Sequence, residues 1–228
     1  MSIYIAVPAY QGTVTVQHHI CMQSVCQLLT AHNIKFFCNY AVSGSALSAE
    51  RNQLYAQFLK SDYEFLFWID ADEAFAEIEN FLEVYLLCKE VKVVAGLSPT
   101  RPHNSNFWAV TFAKDKKENF VRHPQHPKLI KAESIGMAFF MMYRGICERV
   151  VQKNPHRLYT DRKYGKCHDL FSSERIGEAY LREDQRFCKH LIDAGVDIWV
   201  YPDLTFCHTG MHSRVGNYEN FLKEARNV

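Results

Sequence analysis

The chain has 228 residues, 48% of them hydrophobic and 14% aromatic, and its formal net charge is +1. This length and hydrophobic content are sufficient for one domain with a substantial buried core. The near-neutral charge provides no global field toward nucleic acid or an anionic membrane, so neither is expected as a partner.

The first half of the chain alternates predicted strands with predicted helices. Strands are predicted over 3–7 (closed at Pro8), 34–42, 65–69 and 91–96. Apolar residues three and four positions apart predict helices over 13–31, 48–60 and around 78–86, with Ile20 and Leu86 on their inner faces. This alternation predicts an α/β fold, with a mostly parallel sheet covered by helices on both faces.

The second half is less regular. Strands are predicted over 107–113, 137–143 and 197–201, and a helix over 181–194 that Gly195 stops. Segments 123–126 and 154–173 are predicted to be loops. Because no linker, repeat or low-complexity tract separates the two halves, residues 1–228 are predicted to form a single domain.

Cysteine usage and the chain's start indicate the cellular setting. Eight cysteines lie scattered, several inside apolar runs, without a Cys-x-x-Cys pair, which is typical of reduced core cysteines. The N-terminus enters a strand directly, without the features of a signal peptide. The longest apolar stretch, residues 135–143, is far short of the ~18 residues of a membrane span. We therefore expect a cytoplasmic protein without an integral membrane segment.

Two aspartates follow the most hydrophobic strand. The run 65–69 leads directly into Asp70-Ala71-Asp72, and alternate side chains of an extended chain point the same way. The carboxyl ends of strands are where open α/β sheets hold ligands. Neighbouring carboxylates repel unless a cation or hydrogen-bond donors lie between them, and Mg²⁺ or Mn²⁺ is the favoured occupant. The alternative is a solvated acidic turn.

Arg51 lies near the start of the second predicted helix, on the face of Leu54, Tyr55 and Phe58. A guanidinium held against a core faces an anion, which is either a phosphate or a neighbouring carboxylate.

Glu183 and Asp184 open the last predicted helix. Acidic residues are common in a first turn because they complement the helix dipole. Asp184, however, shares the buried stripe of Phe187, Cys188 and Leu191, and an inward carboxylate suits a catalytic base.

His208 follows a short strand, either as an ordinary core histidine or as a further ligand of a divalent ion. A zinc site built from Cys188, His190, Cys207 and His208 is also conceivable, although the spacing matches no zinc motif. Glycine-rich phosphate loops and nucleophile elbows are missing, so a bound phosphate would be held by metal and side chains.

Taken in order, seven segments resemble nucleotide-sugar glycosyltransferases of the GT-A type, close to family 2. They are Val7-Pro8-Ala9-Tyr10, Glu50-Arg51-Asn52, Ile69-Asp70-Ala71-Asp72 with Phe75, Ile135-Gly136-Met137-Ala138-Phe139, Tyr180-Leu181-Arg182-Glu183-Asp184 with Phe187-Cys188, Ile198-Trp199 with Pro202, and His208-Thr209-Gly210. These segments span nearly the whole chain, and their order and spacing are more specific than any one alone.

The resemblance implies a GT-A (Rossmann-like) fold, with a donor-binding half over 1–100 and an acceptor-side half over 101–228. It implies a nucleoside-diphosphate sugar as donor, a glycan or glycoprotein acceptor, and Mn²⁺ or Mg²⁺. The implied metal ligands are Asp72, His208 and Asp70. The implied donor contacts are Pro8, Ala9, Tyr10, Asn39, Arg51, Asp70, Ala71 and Asp72. Asp184, or secondarily Glu183, is the implied base of an inverting transfer.

One departure concerns the nucleotide. Gln11 stands where many relatives have Asn, and Asn39, predicted at the end of the second strand, is the candidate base contact.

Two alternative functions remain: a nucleotidyltransferase that makes nucleotide sugars, and a binding module without turnover. The first ordinarily has a basic glycine-rich loop after the first strand, whereas Gln11-Gly12-Thr13-Val14 carries no Lys or Arg.

Overall fold

A computed structural model describes residues 2–43, 46–100, 108–210 and 214–225. Within these ranges the helices are α1 Val16–Ala31, α2 Leu47–Lys60, α3 Asn80–Val91, α4 Arg144–Lys153, α5 Glu183–Asp193 and α6 Tyr218–Ala225, with a short 3₁₀ turn at Pro155–Arg157. The strands are β1 Ser2–Tyr10, β2 Lys35–Ser43, β3 Phe65–Ile69, β4 Glu73–Phe75, β5 Val93–Gly96, β6 Val110–Phe112, β7 Ile130–Ile135, β8 Phe139–Tyr143, β9 Leu158–Asp161, β10 Gly165–His168, β11 Glu174–Ile176, β12 Ala179–Leu181, β13 Ile198–Tyr201, β14 Thr205–His208 and β15 Arg214–Asn217.

The predicted α/β architecture is confirmed. Eight strands form one sheet in the order β2-β1-β3-β8-β5-β13-β7-β6. Strands β1, β2 and β3 pair in parallel, as do β5 and β13, whereas β8 and β7 pair antiparallel with their neighbours. Six of the eight strands share one direction, and three of the seven pairings are parallel while four are antiparallel, so the sheet is mixed.

Strands β1, β3, β5, β8 and β13 are buried on both faces, which explains why they are apolar without alternation. One face packs against α2, α4 and α5 through side chains such as Phe58, Val150 and Leu191. The opposite face packs against α1 and α3 through side chains such as Val25 and Tyr85. The eight cysteines are free thiols, five of them buried and three (Cys26, Cys38 and Cys207) partly exposed.

A small sheet at the carboxyl end of β3 positions the aspartate segment. Strand β4 begins at Glu73 and pairs antiparallel with β14, in a register that sets Glu73 opposite His208. The start of α1 holds the same segment from the other side: the Thr15 backbone N–H donates to the carbonyl of Ala71 (3.0 Å). The segment is thus fixed between a strand and a helix N-terminus.

Several local predictions were wrong. Pro8 lies inside β1, whose last residue is Tyr10, because the parallel pairing with β2 continues past the proline. Ile20 and Leu86 are exposed (57% and 54%), since each lies just outside the buried stripe of its helix. The helix predicted from Leu181 begins at Glu183, because Leu181 belongs to β12.

Segment 154–173 is not simply a loop. It contains an antiparallel hairpin of β9 and β10, and the Asp161 carboxylate accepts hydrogen bonds from the turn N–H groups of Lys163 and Tyr164 (2.8 Å each). Gly165 then adopts a positive φ of 70°.

The strand predicted to start at Phe107 begins at Val110, and Phe107 itself lies outside the described residues. No helix among the described residues is long and apolar enough to span a membrane.

Candidate active site

A cavity of about 180 Å³ lies at the carboxyl ends of β3 and β5. Six ionisable side chains line it: Arg51, Asp70, Glu73, Glu183, Asp184 and His208. The sequence separation between Arg51 and His208 shows that the fold gathers these groups from distant segments. The cavity also lies at the sheet edge where α/β folds hold ligands.

Arg51 pairs with Asp70. Its Nη2 lies 2.9 Å and 3.1 Å from the two carboxylate oxygens of Asp70, and its Nη1 donates to the carbonyl of Met137 (3.4 Å). The Arg51 side chain is 2% exposed and that of Asp70 is 23% exposed. Burial raises the pKa of Asp70 above its ordinary value, although the charges of Arg51 and His208 oppose that shift. The carboxylate alternative for Arg51 is therefore the contact that the structure contains.

Asp72, Glu73 and His208 form a cluster of metal-ligand type. One donor atom from each lies within 4.8 Å of the others. The His208 Nε2 is 3.7 Å from an Asp72 oxygen, while its Nδ1 is 2.9 Å from the carbonyl of Pro99 and 3.2 Å from Glu73 Oε1. With its proton on Nδ1, shared with that carbonyl, His208 would offer Nε2, the nitrogen nearer to Asp72, as a metal ligand.

Glu73 is a member of this cluster that was not predicted from the sequence. It is 1% exposed, and its Oε1 accepts a hydrogen bond from the Ser98 hydroxyl (2.7 Å). Its Oε2 is buried without a hydrogen-bond partner among the described residues. Burial raises the pKa of Glu73 well above its ordinary value. The available sequence signal was its place directly after Asp72.

These residues fit the divalent cation that the sequence predicts. Two carboxylates and one imidazole provide the oxygen and nitrogen ligands that Mn²⁺ accepts and that Mg²⁺ accepts with water completing the shell. The buried Oε2 of Glu73 supports that fit, because a neighbouring positive charge would compensate it. Asp70 lies outside the cluster, and both of its oxygens face Arg51.

Asp184 and Glu183 line the opposite wall, in the first turn of α5. An Asp184 oxygen accepts the backbone N–H of Gln185 (2.7 Å). Burial, followed by the charge of Glu183, raises the pKa of Asp184, while Arg51 and Arg182 oppose the shift. A carboxylate with a raised pKa in a cavity is a candidate proton acceptor. Glu183 lines the same cavity rather than only facing solvent.

The predicted nucleotide contacts occupy different environments. Pro8 and Ala9 are buried in β1, Tyr10 at its end is 59% exposed, and the carbonyl of Ala71 is engaged by Thr15. Asn39 lies in the middle of β2 rather than at its end, because the strand continues to Ser43. Its side-chain amide donates to Tyr4 and to Gln57 (3.1 Å). The nucleotide-binding roles of these residues stay predictions.

The conceivable zinc site is not formed. The metal-type cluster found among the described residues consists of Asp72, Glu73 and His208, and contains none of the other three proposed zinc ligands. The thiol of Cys188 instead donates to the carbonyl of Ile135 (3.4 Å), so this cysteine is part of the core.

Replacing Arg51 tests what the buried ion pair contributes. Arg51→Lys retains the charge but loses the planar fork that reaches both Asp70 and Met137, so the free energy of unfolding should fall by about 1–3 kcal/mol. Urea unfolding measures this change. Lys35→Met, which removes the exposed ion pair with Asp62, is the control and should leave the unfolding midpoint unchanged. Unaltered stability of Arg51→Lys together with weakened donor binding would instead support a phosphate contact.

No protein-family model matches the chain, and no curated protein matches it in sequence. Solved structures match it in fold. A197 from STIV has a TM-score of 0.52 at 15% identity, covering 92% of this chain and 85% of that one. A mutant of the Drosophila β1,4-galactosyltransferase 7, in complex with manganese, UDP-Gal and xylobiose, has a TM-score of 0.46 at 12% identity, covering 98% and 73%. S. aureus TarS 1–349 in complex with UDP-GlcNAc has a TM-score of 0.45 at 13% identity, covering 88% and 56%. At these identities the similarity concerns the fold alone.

Proposed function

We propose that this protein is a metal-dependent glycosyltransferase that moves a sugar from a nucleoside-diphosphate sugar to an acceptor hydroxyl with inversion. The observation that carries the proposal is the composition of one cavity. The Asp72–Glu73–His208 cluster adjoins it through Glu73 and His208, and the carboxylates of Asp184 and Glu183 line it as well. A cation site and a separate carboxylate in one cavity are the two groups that such a transfer requires.

The proposed division of labour follows from the chemistry of each group. Asp72 and His208 would hold Mn²⁺ or Mg²⁺, which when bound neutralises charge that develops on the departing diphosphate. Asp184 would accept the proton of the acceptor hydroxyl as the new glycosidic bond forms. Arg51 keeps Asp70 in place at the cavity wall through two short contacts, which leaves Asp70 positioned to accept a hydrogen bond from the donor.

The proposed donor-binding and acceptor-binding halves of the chain are the ones that the sequence predicts. Residues 1–100 contribute Arg51, Asp70 and Asp72, and residues 101–228 contribute Asp184 and His208. The donor would therefore contact mainly the first half and the acceptor mainly the second. The proposed acceptor is a glycan or glycoprotein, with the donor sugar and nucleotide to be identified by screening.

Product analysis with a panel of nucleotide sugars tests the proposal. With Mn²⁺ present, the cognate donor should raise the melting temperature, because a ligand of the native state stabilises it by mass action. Turnover should then release a nucleoside diphosphate. Release of pyrophosphate from a sugar phosphate and a nucleoside triphosphate would identify a nucleotidyltransferase instead. Donor binding without any release would indicate a binding module.

A further inference from the structure

Glu73 belongs to the cluster of metal-ligand type, but the proposed function assigns the cation only to Asp72 and His208. It is the first residue of β4, and the antiparallel register sets it directly opposite His208 on β14. Directly opposed residues of an antiparallel pair project from the same face, with their Cβ atoms roughly 5 Å apart. The backbone pairing therefore places the two side chains next to each other, and the Glu73 carboxylate lies 3.2 Å from the imidazole Nδ1.

The two oxygens of Glu73 have different surroundings. Oε1 accepts the hydroxyl of Ser98 and lies 3.2 Å from His208 Nδ1. Oε2 is buried and has no hydrogen-bond partner among the described residues. A buried polar atom without a partner costs about 1–3 kcal/mol, and more when the group is charged. A bound cation would supply the missing contact, and the other members of the cluster are a carboxylate and an imidazole.

Asp70 forms an ion pair with Arg51. Its two oxygens lie 2.9 Å and 3.1 Å from Arg51 Nη2, and it is not among the three residues whose donor atoms converge. Moving Asp70 to a cation would leave the guanidinium of Arg51, which is 2% exposed, without its carboxylate. Glu73 carries no such competing ion pair with an arginine or lysine among the described residues.

We infer that Glu73 is a direct ligand of the divalent cation, so that the protein ligands are Asp72, Glu73 and His208, and that Asp70 stays outside the metal's coordination shell. The inference rests on the proposed function for the presence of the cation. It assigns the second carboxylate of the metal site to the residue after Asp72 rather than to the first aspartate of the Asp-x-Asp pair.

Binding of Mn²⁺ alone to the full chain, without a nucleotide sugar, tests this assignment. Electron paramagnetic resonance measures free Mn²⁺ during a titration and so gives the dissociation constant. We expect Glu73→Gln to weaken Mn²⁺ binding at least tenfold. Glu79→Gln removes the same charge at an exposed position of the same segment and should leave the dissociation constant unchanged. In Glu73→Ala, pulsed resonance in H₂¹⁷O should count one more water ligand on the bound ion than in the wild type.

Thermal unfolding separates a ligand from a structural residue. Gln fills the space of Glu73 without a buried charge, so the metal-free variant should melt at or above the wild-type temperature, while the rise caused by Mn²⁺ should be lost. A lower metal-free melting temperature with an intact Mn²⁺ response would overturn the assignment. So would weakened binding with an unchanged water count, which would show that Glu73 only orients His208. If the wild type binds no Mn²⁺, the metal-dependent function itself fails, whereas equal binding by wild type and Glu73→Gln overturns only the ligand assignment.

Discussion

Asp184→Asn should lower kcat by about 10²–10⁴-fold, the usual cost of removing a general base. Asparagine has the same shape as aspartate but cannot accept the acceptor's proton. The donor dissociation constant should stay unchanged, because the cation cluster and the Arg51–Asp70 pair lie on other elements. Nucleoside-diphosphate release at saturating donor measures kcat, and calorimetry with the donor alone measures affinity.

Glu183→Gln is the matched control in the same helical turn. Both carboxylates line the cavity, so the control removes an equal charge from an adjacent position and should retain most of kcat. If Glu183→Gln is inactive while Asp184→Asn remains active, the catalytic base is Glu183 rather than Asp184. Full turnover by both variants would show that the inverting mechanism is wrong for this protein.

The pH dependence provides an independent check on Asp184. The pKa of Asp184 is raised above 3.8, first by burial and second by the charge of Glu183. A base must be deprotonated, so kcat/KM should fall as pH decreases through that raised pKa. Glu183→Gln removes one cause of the rise and should shift the acidic limb of the profile to lower pH. An unshifted limb would indicate that another group controls the profile.

The parts of the fold with a strong hydrophobic signal were predictable. The strands around 65–69 and 91–96 are apolar on both faces because helices cover both sides of the sheet, and continuous apolar runs follow from that burial. The β9–β10 hairpin was missed because its strands are mostly polar and only partly buried, which leaves turn chemistry at Asp161 and Gly165 as the main signal. Pro8 did not end β1, since a proline lacks only the donor and the ladder continues around it.

The residues of the candidate site differ in the same way in how far they could be predicted from the sequence. Asp72 and His208 were predicted together from residue type and from the order of segments, and the structure brings them to 3.7 Å. The partner of Arg51 could not be decided from the sequence, because helix spacing gives the direction of a side chain and not the identity of the group it meets. Glu73 was missed because its neighbour His208 comes from β14, and the pairing of β4 with β14 has no local sequence signal.

Removal of the divalent cation should abolish turnover. In the proposed reaction Asp72 and His208 would hold a cation that neutralises charge on the departing diphosphate, an effect worth several kcal/mol of transition-state stabilisation. EDTA should therefore reduce nucleoside-diphosphate release to background, and excess Mn²⁺ or Mg²⁺ should restore it. Asp72→Asn keeps the shape of the ligand but removes its charge, so kcat should fall by at least about 10²-fold, equivalent to about 2.7 kcal/mol.

The fold should tolerate Asp72→Asn, because the Asp72 side chain is 28% exposed rather than part of the core. Asp62→Asn, at a side chain that is 80% exposed, makes the same chemical change away from the cavity and should leave both kcat and the melting temperature unaltered. The difference in turnover between the wild type and Asp72→Asn should also become smaller in EDTA, because without the cation the Asp72 carboxylate has no metal ion to bind. Full activity of the wild type in EDTA would refute the metal assignment, because charge on the leaving diphosphate would then be stabilised by side chains such as Arg51 alone.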